Sequence, residues 1–437
     1  MESKIGWIDL SSNDLNKVRS LMDGITGGVI DELGVGTIRD KYSNQLFTGI
    51  STLFTRAKYY FITPYILLEK EHKQNNGETG LQYFQRSEIE LNKIIDKYYT
   101  EHNTNNESYF GKDTENGELK RQPSDVYWNG IIHLGLIQDA TSLNQLLRRK
   151  KSSVEELLSK TSDDELTREQ GITRRQDNIN VGYSKDWLND IKQNGLQLTR
   201  TEAETLCSRI KQKNPHSLIT ELLKNKSLWK DYNDSIINNK VIENHKIFAL
   251  TNPFVQFVEK SIFGISDNEL KNNLIESHDL AIFLHGLHIA YNIALWETVD
   301  YDSEFITNLR ECGNKWRNQL NNKLLCRSLL NQEFDISTCI ESSKAKNYTK
   351  YFLQNAQRLI FENETWGEIE DELKYICKNQ ELRNKKNKSR FYKIEHKQTI
   401  PDMDSVKWIG LSLIPYRYYS ARSIISDIYA GIDNVKK

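Results

Sequence analysis

The sequence predicts a mainly α-helical protein, multi-helical, with two or three packed subdomains and minor β content near the N-terminus. Three observations predict it. Only six prolines occur in 437 residues, and the interval from Pro253 to Pro401 has none, which suits helices because proline breaks their hydrogen-bond ladder. Apolar residues recur at helical spacing, with polar capping residues placed before several of the runs. At this length a single hydrophobic core stops growing, so two or three cores are expected.

Taken in order, KIGWIDL (4–10) reads as a short strand, and Ser11 to Asp14 as a cap for a helix over Leu15 to Met22 that ends at Gly24, Gly27 and Gly28. Thr37 can cap a second helix through Phe47. Ser51 or Thr52 can cap a third, with Leu53, Ala57, Tyr60, Phe61 and Leu67 at helical spacing and Pro64 kinking it or ending its first half. Pro123-Ser124 fits a helix start, with Gly135 near that helix's end. Residues 148–180 are dense in charge. Thr199 with Glu202 three positions on forms a capping box. The run from Glu276 to Val299 is apolar nearly all round, which predicts a central buried helix, and the chain closes with a helix from Tyr416 to Ile432. The expected organisation is an N-terminal helical domain at 1–150, a charged linker or exposed helix at 151–185, and a C-terminal helical domain at 186–437.

Composition narrows the function classes. A net charge of -1 gives no global attraction to nucleic acid or anionic membrane, so any such contact needs a local basic patch. The five cysteines are odd in number, widely spaced and without C-x-x-C, which supports neither a zinc ribbon nor a disulfide framework. The opening residues are too polar for a signal peptide, and no run approaches the roughly 18 apolar residues of a membrane span. A cytoplasmic protein without membrane contact is expected.

Chemistry-bearing clusters are few. Gly34-x-Gly36 lacks the third glycine of a dinucleotide fingerprint and the Gly-Lys-Ser/Thr of a P-loop, so no cofactor is expected. It reads as a turn between packed helices, or as a helix N-terminus able to hold a phosphate. Asp31, Glu32, Arg39, Asp40 and Arg56 are the candidate catalytic residues, and a network of this kind also serves to fix a loop. His285 and His288 share a helix face, but H-x-x-H lacks the general-base Glu of a zinc protease helix, so buried histidines are expected and no metal. Residues 383–397 hold seven Lys or Arg against one Glu, with Phe391 and Tyr392 embedded. Lys385, Lys386, Lys388, Arg390 and Lys393 are the candidate nucleic-acid contacts there, and a solvated loop is the alternative.

The segments GWIDLS (6–11), DELGVGTIRD (31–40), TRAKYYFITPY (55–65), LKRQPSDVYWNG (119–130), LQLTRTEAETL (196–206), HGLHIAYN (285–292) and IPYRYYSARSIISDI (414–428) together resemble an uncharacterised bacterial family of the domain-of-unknown-function type. The resemblance implies phage-defence gene neighbourhoods, near helicases and phospholipase-D-like nucleases, and carries no reaction. It also marks the polar residues of 31–56 as a candidate ligand or partner surface. The leading expectation is a non-enzymatic accessory subunit of an antiviral defence system that binds a helicase or nuclease and DNA or RNA. The alternative is a metal-dependent enzyme acting on nucleotides or nucleic acid, which requires Asp31 and Glu32 to converge with Arg39 in an open cleft.

Overall fold

Helix starts follow local chemistry in the computed structural model, which describes residues 31–73, 77–102, 108–110, 112, 119, 121–137, 142–147, 186–238, 251–399, 408–411 and 413–433. Among these residues the regular elements are helical and no strand occurs. In chain order they are α1 (Gly36–Leu46), α2 (Tyr59–Lys73), α3 (Gly80–Glu101), α4 (Pro123–His133), α5 (Leu143–Leu147), α6 (Trp187–Asn194), α7 (Arg200–Lys213), α8 (Leu218–Lys224) and α9 (Lys226–Asn238). There follow α10 (Pro253–Ser261), α11 (Asn268–Thr298), α12 (Ser303–Lys323), α13 (Leu325–Leu330), α14 (Ile336–Ile340), α15 (Asn347–Glu362), α16 (Trp366–Lys385), α17 (Arg390–Glu395) and α18 (Tyr418–Asp433). The strand-like run at 4–10 and the charged stretch at 151–185 lie outside the described residues.

Two predicted helix starts form as expected. Thr199 accepts the Glu202 N–H at 3.3 Å while Glu202 accepts the Thr199 N–H at 2.8 Å, and α7 begins there. Pro123 opens α4, where its missing N–H leaves no bond unmade. The third helix differs from expectation: α2 starts at Tyr59, not near Ser51, and runs on through Pro64. Residues 51–57 are held instead as an irregular segment, because the Tyr127 hydroxyl bonds the backbone N–H groups of Thr55 and Arg56 at 2.9 and 3.1 Å.

The chain forms two units by contact, each assembled from three segments. One comprises Met1–Lys41, Ile242–Val255 and Ile275–Ile414. Its core is α11, buried continuously over residues 277–296 as its all-round apolar character predicts. Gly286 receives the Trp316 ring of α12 so closely that a Cβ there would stand 2.2 Å from it, and the indole N–H donates to Ile282 O at 2.8 Å. Trp366 of α16 fills the matching notch at Gly313, and the two indoles meet edge to face at 6.0 Å.

The other unit comprises Tyr42–Val241, Gln256–Leu274 and Pro415–Lys437. Tyr127 of α4 is its aromatic centre, stacked on Phe54 at 3.9 Å and meeting Tyr60 edge-on at 5.2 Å. In the same unit α18 packs on α7, where Gly431 approaches so closely that a Cβ would stand 2.7 Å from the Ala203 methyl.

Candidate functional site

The DELGVGTIRD loop is built around its own acid. Asp31 turns back on the start of α1, its two carboxylate oxygens accepting the Val35 and Gly36 N–H groups at 2.7 and 2.8 Å. These are the N–H groups that a phosphate would use, and the chain's own anion holds them. Gly34 has φ +73°, and a Cβ on it would lie 3.0 Å from Thr349 Oγ1 of α15 and 3.2 Å from Asn384 Oδ1 of α16. Glycine is needed there both for the left-handed backbone and for the close approach. Asn384 donates to Asp31 O at 2.9 Å and Gln380 to Leu33 O at 2.7 Å. The loop is therefore clamped onto α16.

Glu32 joins the two stretches that stand out in the sequence. Fully buried, it pairs with Lys385 Nζ at 2.8 Å and with the Arg390 guanidinium. Glu381, also fully buried, accepts from Ser389 Oγ at 2.6 Å, from the Arg390 N–H at 3.0 Å and from the Tyr291 hydroxyl at 3.2 Å. Two carboxylates thus face two cations in one interior cluster. Burial pushes the Glu32 carboxyl up and the Lys385 ammonium down, so desolvation outweighs their attraction. The pattern fixes a loop rather than poising an acid for chemistry.

Beside Glu32 lies His288 of α11, with His285 one turn before it on the same helix. Gly410, at φ +91°, is wedged so that a Cβ would stand 2.8 Å from His288 Cδ2 and 3.7 Å from Glu32 Cγ. His288 Nδ1 donates to Leu284 O at 2.8 Å, and His285 stacks on Trp408 at 5.6 Å. Both are buried, and burial pushes His285 down to about 3 and lowers His288 as well. Among the described residues no group of three or more His, Cys, Asp and Glu side chains is placed to hold a metal ion.

The remaining catalytic candidates do not converge on this cluster. Arg39 donates twice to the neighbouring Asp40, at 3.0 and 2.9 Å. Arg56 belongs to the other unit, where its Nε bonds both oxygens of Asp427 at 3.1 and 3.0 Å and its Nη1 donates to the Tyr99 hydroxyl at 3.0 Å. Asp31 is committed to a cap, Glu32 to two cations, Arg39 and Asp40 to each other, and Arg56 to Asp427. The open cleft with Asp31, Glu32 and Arg39 at its focus is not formed.

The basic segment divides. Lys385 and Arg390 turn inward to Glu32, and Phe391 is buried edge-on to Tyr291 at 5.8 Å, so none of the three faces a ligand. Lys386 and Lys388 are exposed and Lys393 is half-buried. Two further exposed lysines that sequence reasoning missed, Lys344 and Lys346, precede α15. Lys346, at the start of α15, places its ammonium 5.4 Å from the Tyr348 ring centroid, and Arg383, near the end of α16, places its guanidinium 5.1 Å from the same centroid. Lys344 is just upstream. The only sequence signal was Lys344-x-Lys346-x-Tyr348 before a helix, too short to be told from an ordinary cap. Lys344, Lys346, Arg383, Lys386 and Lys388 are all exposed, and of these Lys346 and Arg383 approach the same Tyr348 ring.

No curated protein and no solved structure matches the chain. A protein-family profile matches residues 2–266, which include Asp31 and Glu32 but neither Lys385 nor Arg390. With more than half of its length covered, the chain belongs to DUF6361, a family of unknown function.

Proposed function

We propose that the protein is a non-catalytic accessory subunit that binds nucleic acid through the surface formed by Lys344, Lys346, Arg383, Lys386 and Lys388. The observation that carries this reading is the approach of Lys346 and Arg383 to one tyrosine ring, which brings exposed cations from two different helix ends near each other. The commitment of Asp31, Glu32, Arg39, Asp40 and Arg56 to caps and ion pairs favours a binding role over the metal-dependent enzyme. Sequence resemblance supports the wider setting, an antiviral defence system with a helicase or phospholipase-D-like nuclease as partner.

The test is fluorescence anisotropy of labelled single- and double-stranded DNA and RNA across salt concentrations. Four of the five cations, Lys346, Arg383, Lys386 and Lys388, are replaced by Glu in one variant. Binding should weaken at least tenfold, and the slope of log K against log salt should flatten by roughly 0.7 to 0.9 for each phosphate that is no longer neutralised. Wild-type protein that binds no oligonucleotide, or a variant that binds as tightly as wild type, would overturn the proposal. Co-purification with neighbouring gene products tests the partner.

A further inference from the structure

The helix that carries Tyr348 also presents an open ring. Thr349, Phe352, Leu353, Ala356 and Ile360 form the buried side of α15. Tyr348, Tyr351, Asn355 and Arg358 follow one another at helical spacing and make a stripe on the remaining surface. Tyr348 is already approached by Lys346 and Arg383, at 5.4 and 5.1 Å from its centroid. Tyr351, one turn further on, is 65% exposed, and its side chain has no partner among the described residues. Arg358 is exposed about 10 Å further along the axis, at roughly 1.5 Å per residue, and likewise has no ion pair among the described residues. Between Glu341 and Glu362 the chain has no acid, while Lys344, Lys346, Lys350 and Arg358 all fall there.

We infer that this stripe takes a single-stranded nucleic acid, one base stacking on Tyr351 and the backbone running from Lys346 and Arg383 toward Arg358. The inference rests on the nucleic-acid reading above and narrows it to unpaired strands. An exposed tyrosine flanked by cations offers the two contacts that single strands use, an aromatic face for a base and positive charge for the phosphates on either side. A duplex keeps its bases stacked on one another and presents only sugars and phosphates to the ring, so Tyr351 favours the single strand. The single sign of charge along the stripe complements a polyanion and not a basic protein surface.

Fluorescence anisotropy of the full chain tests it, with one labelled oligonucleotide of mixed sequence presented as a single strand and as its duplex. The single strand should bind about fivefold tighter or more. Tyr351→Ala should weaken single-strand binding by roughly 5- to 100-fold and leave duplex binding within about twofold of wild type. Because the side chain is mostly exposed, the variant should melt with wild type. Tyr351→Trp, which keeps a stacking face, should bind the single strand at least as well as wild type. Arg358→Ala should lower the salt slope for the single strand by about 0.7. A duplex bound as tightly as the single strand, unweakened binding by Tyr351→Ala, a loss in Tyr351→Trp equal to that in Tyr351→Ala, or an unchanged slope in Arg358→Ala would each overturn the inference and leave the broader nucleic-acid reading standing. Wild-type protein that binds neither form overturns both.

Discussion

Replacing Glu32 by Gln keeps its shape and removes its charge, leaving Lys385 and Arg390 in the interior with Glu381 as their remaining counter-ion. The side chains of Lys385 and Arg390 are 16% and 10% exposed, so water screens them little. Removing one partner of a buried ion pair costs about 3–5 kcal/mol, and the persistence of Glu381 places Glu32→Gln near 3 kcal/mol. Because the chain forms two units, a single melting temperature is a poor readout, and hydrogen–deuterium exchange of peptides covering 31–46 and 378–395 reports the site directly. At about 1.4 kcal/mol per tenfold, protection there should fall roughly a hundredfold. Glu32→Met combined with Arg390→Met should recover to within about 1.5 kcal/mol of wild type, since the charges are removed together and Lys385 can extend its stem to water. Protection reduced less than threefold in Glu32→Gln would show that the cluster behaves as a solvated surface pair, and the argument from burial would be wrong.

Two further outcomes are expected. His285 is neutral when folded, its pKa held down at about 3 against an ordinary 6.5, so the unfolded chain takes up the proton first. Stability should therefore be intact above about pH 7 and be lost progressively as pH falls from 6.5 toward 3, by about 2 kcal/mol at pH 5 from this residue alone. Burial of His288 acts in the same direction. Exchange of α11 peptides at pH 7 and pH 5 measures this, and His285→Phe should remove much of the difference; equal pH dependence in that variant would contradict it. Asp31→Ala should cost about 1–2 kcal/mol through loss of the cap on Val35 and Gly36, read as faster exchange at the start of α1, and unchanged exchange there would show that water caps the helix as well as the carboxylate does.

Sequence alone determined what depends on near neighbours. Thr199 and Glu202 are three residues apart, and Pro123 sits at a helix start whatever surrounds it, so both helix starts were legible, as was the buried run at the heart of α11. The start of α2 was not, because the Tyr127 hydroxyl, more than sixty residues away in sequence, holds the backbone at Thr55 and Arg56 out of a helix. The same limit governs the candidate site. Glu32 was legible as a potential ligand and Lys385 and Arg390 as potential phosphate contacts, for a charge in a sequence carries no sign of what it will face. Only the tertiary structure brought them together across some 350 residues, turning two candidate sites into one buried ion cluster and leaving Lys346, Arg383, Lys386 and Lys388 at the surface. Helix patterns are written in contacts between residues a turn apart, whereas ion pairs and pockets depend on where distant segments pack, which no local periodicity encodes.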